Sequence, residues 1–193
     1  AMVVVFIPPA VEPEKVAIST AAVAAIADKT YTGKAIKPVC TVTVDGKKLT
    51  EGTDYTVTYK NNINAGTASI IITGQGTYSG DKTVTFKILP KKITAMALSA
   101  NKFVYNGNAR KPFVTVKAGT AVVASKINAD TKAVDITYAN GRKNVGTYKI
   151  TVKGKGNYTG TLSKTFKINP KATSITSLTK AKKSFTVKWT KRT

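Results

Sequence analysis

One seven-residue pattern, present twice, constrains this chain more than any other feature. It reads Gly74-Gln75-Gly76-Thr77-Tyr78-Ser79-Gly80 in the first half and Gly154-Lys155-Gly156-Asn157-Tyr158-Thr159-Gly160 in the second. Each copy lies between two runs that alternate apolar and polar residues: Ala68 to Thr73 and Thr83 to Ile88, then Tyr148 to Lys153 and Ser163 to Ile168. A period of two marks half-buried strands, so each copy is the bend of a β-hairpin. Glycine suits such a bend because it requires positive φ or a close backbone approach, where a Cβ would clash. Phosphate-binding loops also use Gly-x-Gly, but they open a helix, and here a second strand follows.

The bends belong to a longer internal repeat. Tyr31-Thr32-Gly33-Lys34-Ala35-Ile36-Lys37-Pro38 matches Tyr105-Asn106-Gly107-Asn108-Ala109-Arg110-Lys111-Pro112, and Val57-Thr58-Tyr59 matches Ile136-Thr137-Tyr138. Ala65-Gly66-Thr67 matches Val145-Gly146-Thr147, and Phe86-Lys87-Ile88-Leu89-Pro90 matches Phe166-Lys167-Ile168-Asn169-Pro170. The spacing drifts by about six residues between Pro112 and Ile136, which places a loop or a longer hairpin over Ala118 to Lys132 in the second copy. Further strands are expected over Val39 to Val44 and Tyr55 to Tyr59, with turns at Asp45-Gly46 and Asn61-Asn62. Lys15 to Ala27 is alanine-rich enough for a helix, but its counterpart Lys92 to Ser99 alternates, so an opening strand is expected in both copies. Phe86, Ile88, Tyr59 and Val57 should line the first core, and Phe166, Ile168, Tyr138 and Ile136 the second.

Short, evenly spaced strands without helices predict an all-β fold: two tandem immunoglobulin-like β-sandwich modules in an elongated array, plus a partial third β module. A β-grasp-like sheet would give similar spacing. The expected boundaries are 1–13 for a linker or the end of a preceding module, 14–90 and 91–170 for the two repeats, and 171–193 for the start of a third. In that last stretch Ser184 to Trp189 reads as one amphipathic strand, too little to bury a core alone.

Composition narrows the chemistry. The 193 residues carry 31 Lys and Arg against 9 Asp and Glu, a formal charge of +22, with 42% hydrophobic residues. Such a field either keeps a solvated surface soluble or attracts a polyanion. Histidine is absent and Cys40 is the one cysteine, which removes the usual general base, the usual zinc ligand sets and any internal disulfide. Cys40 reads as a small strand residue. No acidic residue follows Asp135 and no acid pair recurs in both copies, so no catalytic, cofactor-binding or metal-ligating residue is expected.

Tyr55, Tyr78, Tyr138 and Tyr158 could stack on sugar rings, or could be core and corner residues with hydroxyls bonded to backbone. A Lys–Asn isopeptide crosslink would need a buried acid such as Asp54 or Glu51, and the second copy has Ala133 where Asp54 stands. Asn157-Tyr158-Thr159 fits a glycosylation sequon but also reads as turn chemistry. No run reaches the length of a membrane-spanning helix, and Ala1 to Pro9 lacks the basic region and cleavage site of a signal peptide. Leu89-Pro90-Lys91-Lys92-Ile93 begins like a sorting signal but lacks its Thr and Gly. An interior piece of a longer chain is expected.

The ordered motifs Tyr-x-Gly…Pro, Asp54 to Asn62, Ala65 to Ala68, Gly-x-Gly-x-Tyr-x-Gly and Phe-Lys-Ile-x-Pro resemble the immunoglobulin-like repeats (MBG or YDG type) of large secreted bacterial proteins. The resemblance covers roughly residues 28 to 170, and the second copy departs from it at Ala133 and at Asn140-Gly141. Pro170 through Trp189 resembles the first two strands of a fibronectin type III domain. These resemblances imply a non-catalytic, extracellular or wall-associated spacer or stalk, or else an adhesive module. The partners implied are cell-wall polymers or host and dietary glycans, with no specific nucleic acid, no membrane insertion and no cofactor. They imply a monomeric fragment of a multidomain protein.

Overall fold

A computed structural model describes residues 13–126 and 132–189. Most of the expected leading linker, part of the expected insertion at 127–131 and the last residues of the tail lie outside them. The chain divides into two compact units, Ala1–Pro90 and Lys91–Thr193. The first holds β1 (Val16–Ala17), β2 (Ala22–Val23), β3 (Lys29–Thr30), β4 (Val42–Val44), β5 (Lys47–Lys48), β6 (Tyr55–Lys60), β7 (Gly66–Gly74), β8 (Tyr78–Ser79) and β9 (Asp81–Leu89). The second repeats this order with β10 (Lys91–Lys92), β11 (Ala95–Leu98), β12 (Lys102–Val104), β13 (Val114–Ala118), β14 (Ala121–Lys126), β15 (Val134–Tyr138), β16 (Gly146–Gly154), β17 (Tyr158–Thr159) and β18 (Thr161–Asn169). A hairpin, β19 (Ile175–Ala181) and β20 (Ser184–Trp189), follows.

The sheets match strand for strand. A three-stranded sheet β2-β4-β5 and a four-stranded sheet β3-β9-β7-β6 in the first unit become β11-β13-β14 and β12-β18-β16-β15 in the second. In each four-stranded sheet the long hairpin is antiparallel, whereas β3 joins β9, and β12 joins β18, in parallel. Both sheets of a unit contribute to one core. Val42 and Val44 meet Ala68, Ile70, Ile72, Phe86 and Ile88 in the first; Val114 and Val116 meet Ile150, Val152, Phe166 and Ile168 in the second. Each such Val, Ile or Phe side chain, when fully withdrawn from water, contributes roughly 1.5–3 kcal/mol. Apart from one short 3₁₀ turn at Ile18–Thr20, no helix occurs among the described residues, so each unit is a sandwich and not a β-grasp sheet.

The glycine bend does more than reverse the chain. Gly76 and Gly80 have φ of +64° and +77°, and Gly156 and Gly160 +61° and +98°. Gly74 and Gly154 meet a different demand: a Cβ on either would stand 2.7 Å from the backbone nitrogen of Ser79 or Thr159. That approach lets the bend fold back as a short strand, β8 or β17, which pairs in parallel with the opening strand β1 or β10. The Asp45-Gly46 turn also has both residues at positive φ, the primed geometry that matches strand twist in a two-residue hairpin.

Several expectations need correction. Lys15 to Ala27 is not one strand: Ile18, fully buried, turns the chain through the 3₁₀ segment and divides it into β1 and β2. The expected strand Val39 to Val44 begins only at Val42, so Cys40 is a buried residue of the preceding extended segment. Val57, Tyr59 and Tyr138 pack at the rim of their cores, partly exposed, while Phe86, Ile88, Ile136, Phe166 and Ile168 are buried. Ser184 to Trp189 is a strand, as expected, paired antiparallel with β19, but it is not amphipathic in its setting, because nearly every side chain of the hairpin is exposed. The longer hairpin expected in the second copy is present: β13–β14 exceeds β4–β5 in length.

Candidate functional site

The tyrosines that could either stack on sugars or serve as core and corner residues are engaged inside the modules. Tyr55 is buried and its hydroxyl donates to the Cys40 carbonyl at 3.3 Å; Tyr78 is buried in the same core. Tyr138 is half-buried and donates to the Pro112 carbonyl at 2.8 Å, as Tyr59 does to Pro38 at 2.8 Å. Tyr158 packs, half-buried, against the second core. These side chains tie the segment ahead of β4 or β13 to the four-stranded sheet, as corner residues do. Burial pushes the Tyr55 and Tyr59 hydroxyls above their ordinary pKa, with Glu51 and Cys40 adding to the shift. Tyr138 is also raised by burial, against the opposing pull of Arg142.

At the equivalent rim the two modules use different chemistry. In the first, the Ile36 nitrogen donates to the Asn62 carbonyl at 2.8 Å, and Asn62 Nδ2 donates back to the Ile36 carbonyl at 3.0 Å. In the second, the Arg110 nitrogen donates to the Arg142 carbonyl at 3.0 Å, and both guanidinium groups turn onto aromatic rings. Arg110 lies 5.3 Å from the Phe103 ring centre; Arg142 and Lys111 lie 5.6 Å and 5.3 Å from that of Tyr138. The outer nitrogens donate to the Val104 and Ala139 carbonyls, at 2.8 and 3.0 Å. The buried Nε atoms of both arginines have no hydrogen-bond partner among the described residues, a cost that the cation–ring contacts help to offset.

The remaining candidates have structural roles. Burial raises the Cys40 thiol pKa, with a smaller push from Glu51, so its thiolate is disfavoured. Asp54 Oδ2 accepts from the Thr50 nitrogen at 2.8 Å and fixes the turn before β6. Its counterpart Ala133 contributes to the second core instead. Among the described residues no polar or charged residue is buried, so neither Asp54 nor Glu51 supplies the buried acid of an isopeptide site. Among them, too, no group of three acidic or thiol side chains could hold a metal ion. The Asn157 carbonyl accepts from the Lys91 nitrogen at 2.9 Å, and Leu89 and Lys91 both lie in strands, within folded structure. No helix among the described residues is long and apolar enough to cross a membrane.

What the sequence reading missed is where the charge lies. On the outward face of the second four-stranded sheet, Lys102, Lys149, Lys153 and Lys167 stand exposed among Thr147, Thr151, Ser163 and Thr165. Comparing the two copies position by position could have found them, because the buried members of each strand fix which alternate residues face out. No protein-family model matches the chain, and no curated protein matches it significantly.

Proposed function

We propose that the chain is a load-bearing spacer of a larger secreted or surface-attached bacterial protein, extracellular or wall-associated and without catalysis of its own. We assign its two modules to the MBG or YDG type of immunoglobulin-like repeat and its tail to the start of a fibronectin type III domain, on the motifs given above. The observation that carries the reading is the parallel pairing of an early strand with the last strand in both modules. Tyr31 N donates to Leu89 O at 2.9 Å, and Tyr105 N to Asn169 O at 2.8 Å. In a parallel pair the incoming end of one strand and the outgoing end of the other lie at opposite ends of the ladder. Tension through the chain therefore shears all the bonds of that ladder together. In an antiparallel pair at the chain ends, the bonds would open one by one.

Single-molecule pulling of the whole chain tests this. We expect two force peaks, each followed by a length gain on the order of 20 nm, at about 3.4 Å per released residue. Gradual extension at low force without peaks would sink the load-bearing reading.

A further inference from the structure

The two modules share a backbone but differ on one surface. In the first, the outward face of the four-stranded sheet is threonine and serine with few charges: Lys60, Asp81 and Lys87, and Asp28 just ahead of β3. Asp81 accepts from Thr73 Oγ1 at 2.6 Å. Lys29 pairs with Ile88, so the same register carries Asp28 alongside Lys87, and opposite charges face each other. On the second module, lysine stands at three equivalent places: Lys102 for Asp28, Lys149 for Ser69 and Lys153 for Thr73. Thr161 replaces Asp81, and Lys167 keeps the place of Lys87. A near-neutral face becomes a basic one.

The placement of Lys102 and Lys167 does not serve the module's own stability. Lys102 and Lys167 are register partners, and like charges directly opposed across a sheet are destabilising. The acid on this face, Asp135, stands opposite Lys153 in the sheet and is paired with Lys155 at 2.6 Å, so it leaves Lys102, Lys149 and Lys167 without an acidic neighbour across the strands. Lys102, Lys167, Lys149 and Lys153 form a band running across β12, β18 and β16. Successive members stand about 5, 8 and 13 Å apart by strand spacing and rise.

We propose that this band binds a flexible phosphodiester polyanion whose repeating linker is hydroxylated and non-aromatic. Lysine is a compact point charge that meets phosphate from any direction, unlike the fixed fork of arginine, and arginine is absent from the face. Thr147, Thr151, Ser163 and Thr165 offer donors and acceptors between the charges, suited to a polyol linker. No aromatic side chain points outward here, so nothing would stack on bases as single-stranded nucleic acid requires. The inference goes beyond the spacer reading and does not depend on it, since the face would bind whether or not the module bears load.

The test is titration of the whole chain with a glycerol-phosphate polymer over a range of salt concentrations. One variant gives the second module the residues of the first: Lys102→Asp, Lys149→Ser and Lys153→Thr. A control makes the same charge change at exposed positions of the first module: Lys34→Asp, Lys37→Ser and Lys47→Thr. The face variant should lose at least tenfold in affinity. Its salt dependence should weaken by about 0.7 to 0.9 for each lysine removed. The control should stay within twofold. Equal losses would mean diffuse attraction and overturn the site, as would unchanged binding by the face variant. Tighter binding to a single-stranded oligonucleotide of equal charge would overturn the partner chemistry. Should the triple variant fail to fold, Lys149→Ser with Lys153→Thr carries the same test.

Discussion

The first and second modules place the same strands in the same order, and they differ most in side chains outside the core and the bends. In the glycine bend, where the backbone demands something unusual, the residue is the same: Gly74 and Gly154 for close approach, Gly76 and Gly156 for positive φ. Where the backbone demands nothing, the chemistry diverges. The Ile36–Asn62 rim becomes the Arg110–Arg142 rim, and a balanced outer face becomes a basic one. This architecture is held by a short set of backbone-dictated positions plus an alternating apolar set. The rest of the surface is left free to specialise.

If each module is its own cooperative unit, a cavity in one core should leave the other intact. Phe86→Ala and Phe166→Ala should each cost about 3–5 kcal/mol, in the unit that carries the change. Denaturant unfolding should show one shifted transition and one unshifted in each case. A common shift of both would break the comparison and make the chain a single folding unit.

Alkaline pH should separate the modules next. Tyr55, Tyr59 and Cys40, all raised by burial, lie in the first, whereas in the second Tyr138 is raised by burial and opposed by Arg142. These groups hold their protons longer when folded, so the stability they contribute is intact below the unfolded pKa of about 10 for tyrosine, or about 8.5 for cysteine. It is lost as pH rises through the folded values. Thermal unfolding between neutral pH and pH ~11 should show the first module weakening faster, and Tyr55→Phe should flatten that decline. A uniform decline would show that these buried groups do not set the alkaline limit of either module.

The smallest effect concerns the rim. Arg142→Asn installs the first module's residue in the second and removes one cation–ring contact, so it should cost about 0.5–1 kcal/mol. A loss comparable to that of Phe166→Ala would show that the arginine rim is essential to the fold of the second module.

Much of the fold was legible because glycine and alternation are local signals. The bends at Gly74 and Gly154, the long hairpins around them and the Asp45-Gly46 turn were all readable from adjacent residues. The parallel pairing of β3 with β9 was not, because strands so distant in sequence leave no shared periodicity. Nor was the 3₁₀ turn at Ile18, since a valine- and alanine-rich run is compatible with strand, helix or turn until a core is there to receive one side chain. The tyrosines could be read as core or platform from sequence, and their hydroxyl bonds to Cys40, Pro38 and Pro112 decide in favour of the core. The basic face was hidden because the charge of +22 says how much, not where.

The pairing of β1 with β8, and of β10 with β17, also dictates when each module can assemble. An opening strand that docks on the last bend has nothing to hold it until nearly the whole module has emerged, so closure waits on long-range contacts, which are slow to form. β9 ends at Leu89 and β10 begins at Lys91, so the last strand of one module is complete as the next begins. A chain delivered from its amino end can therefore finish the first module before the second offers competing strands. For two modules of such similar pattern, that order of arrival guards against the mispairing to which tandem repeats are prone.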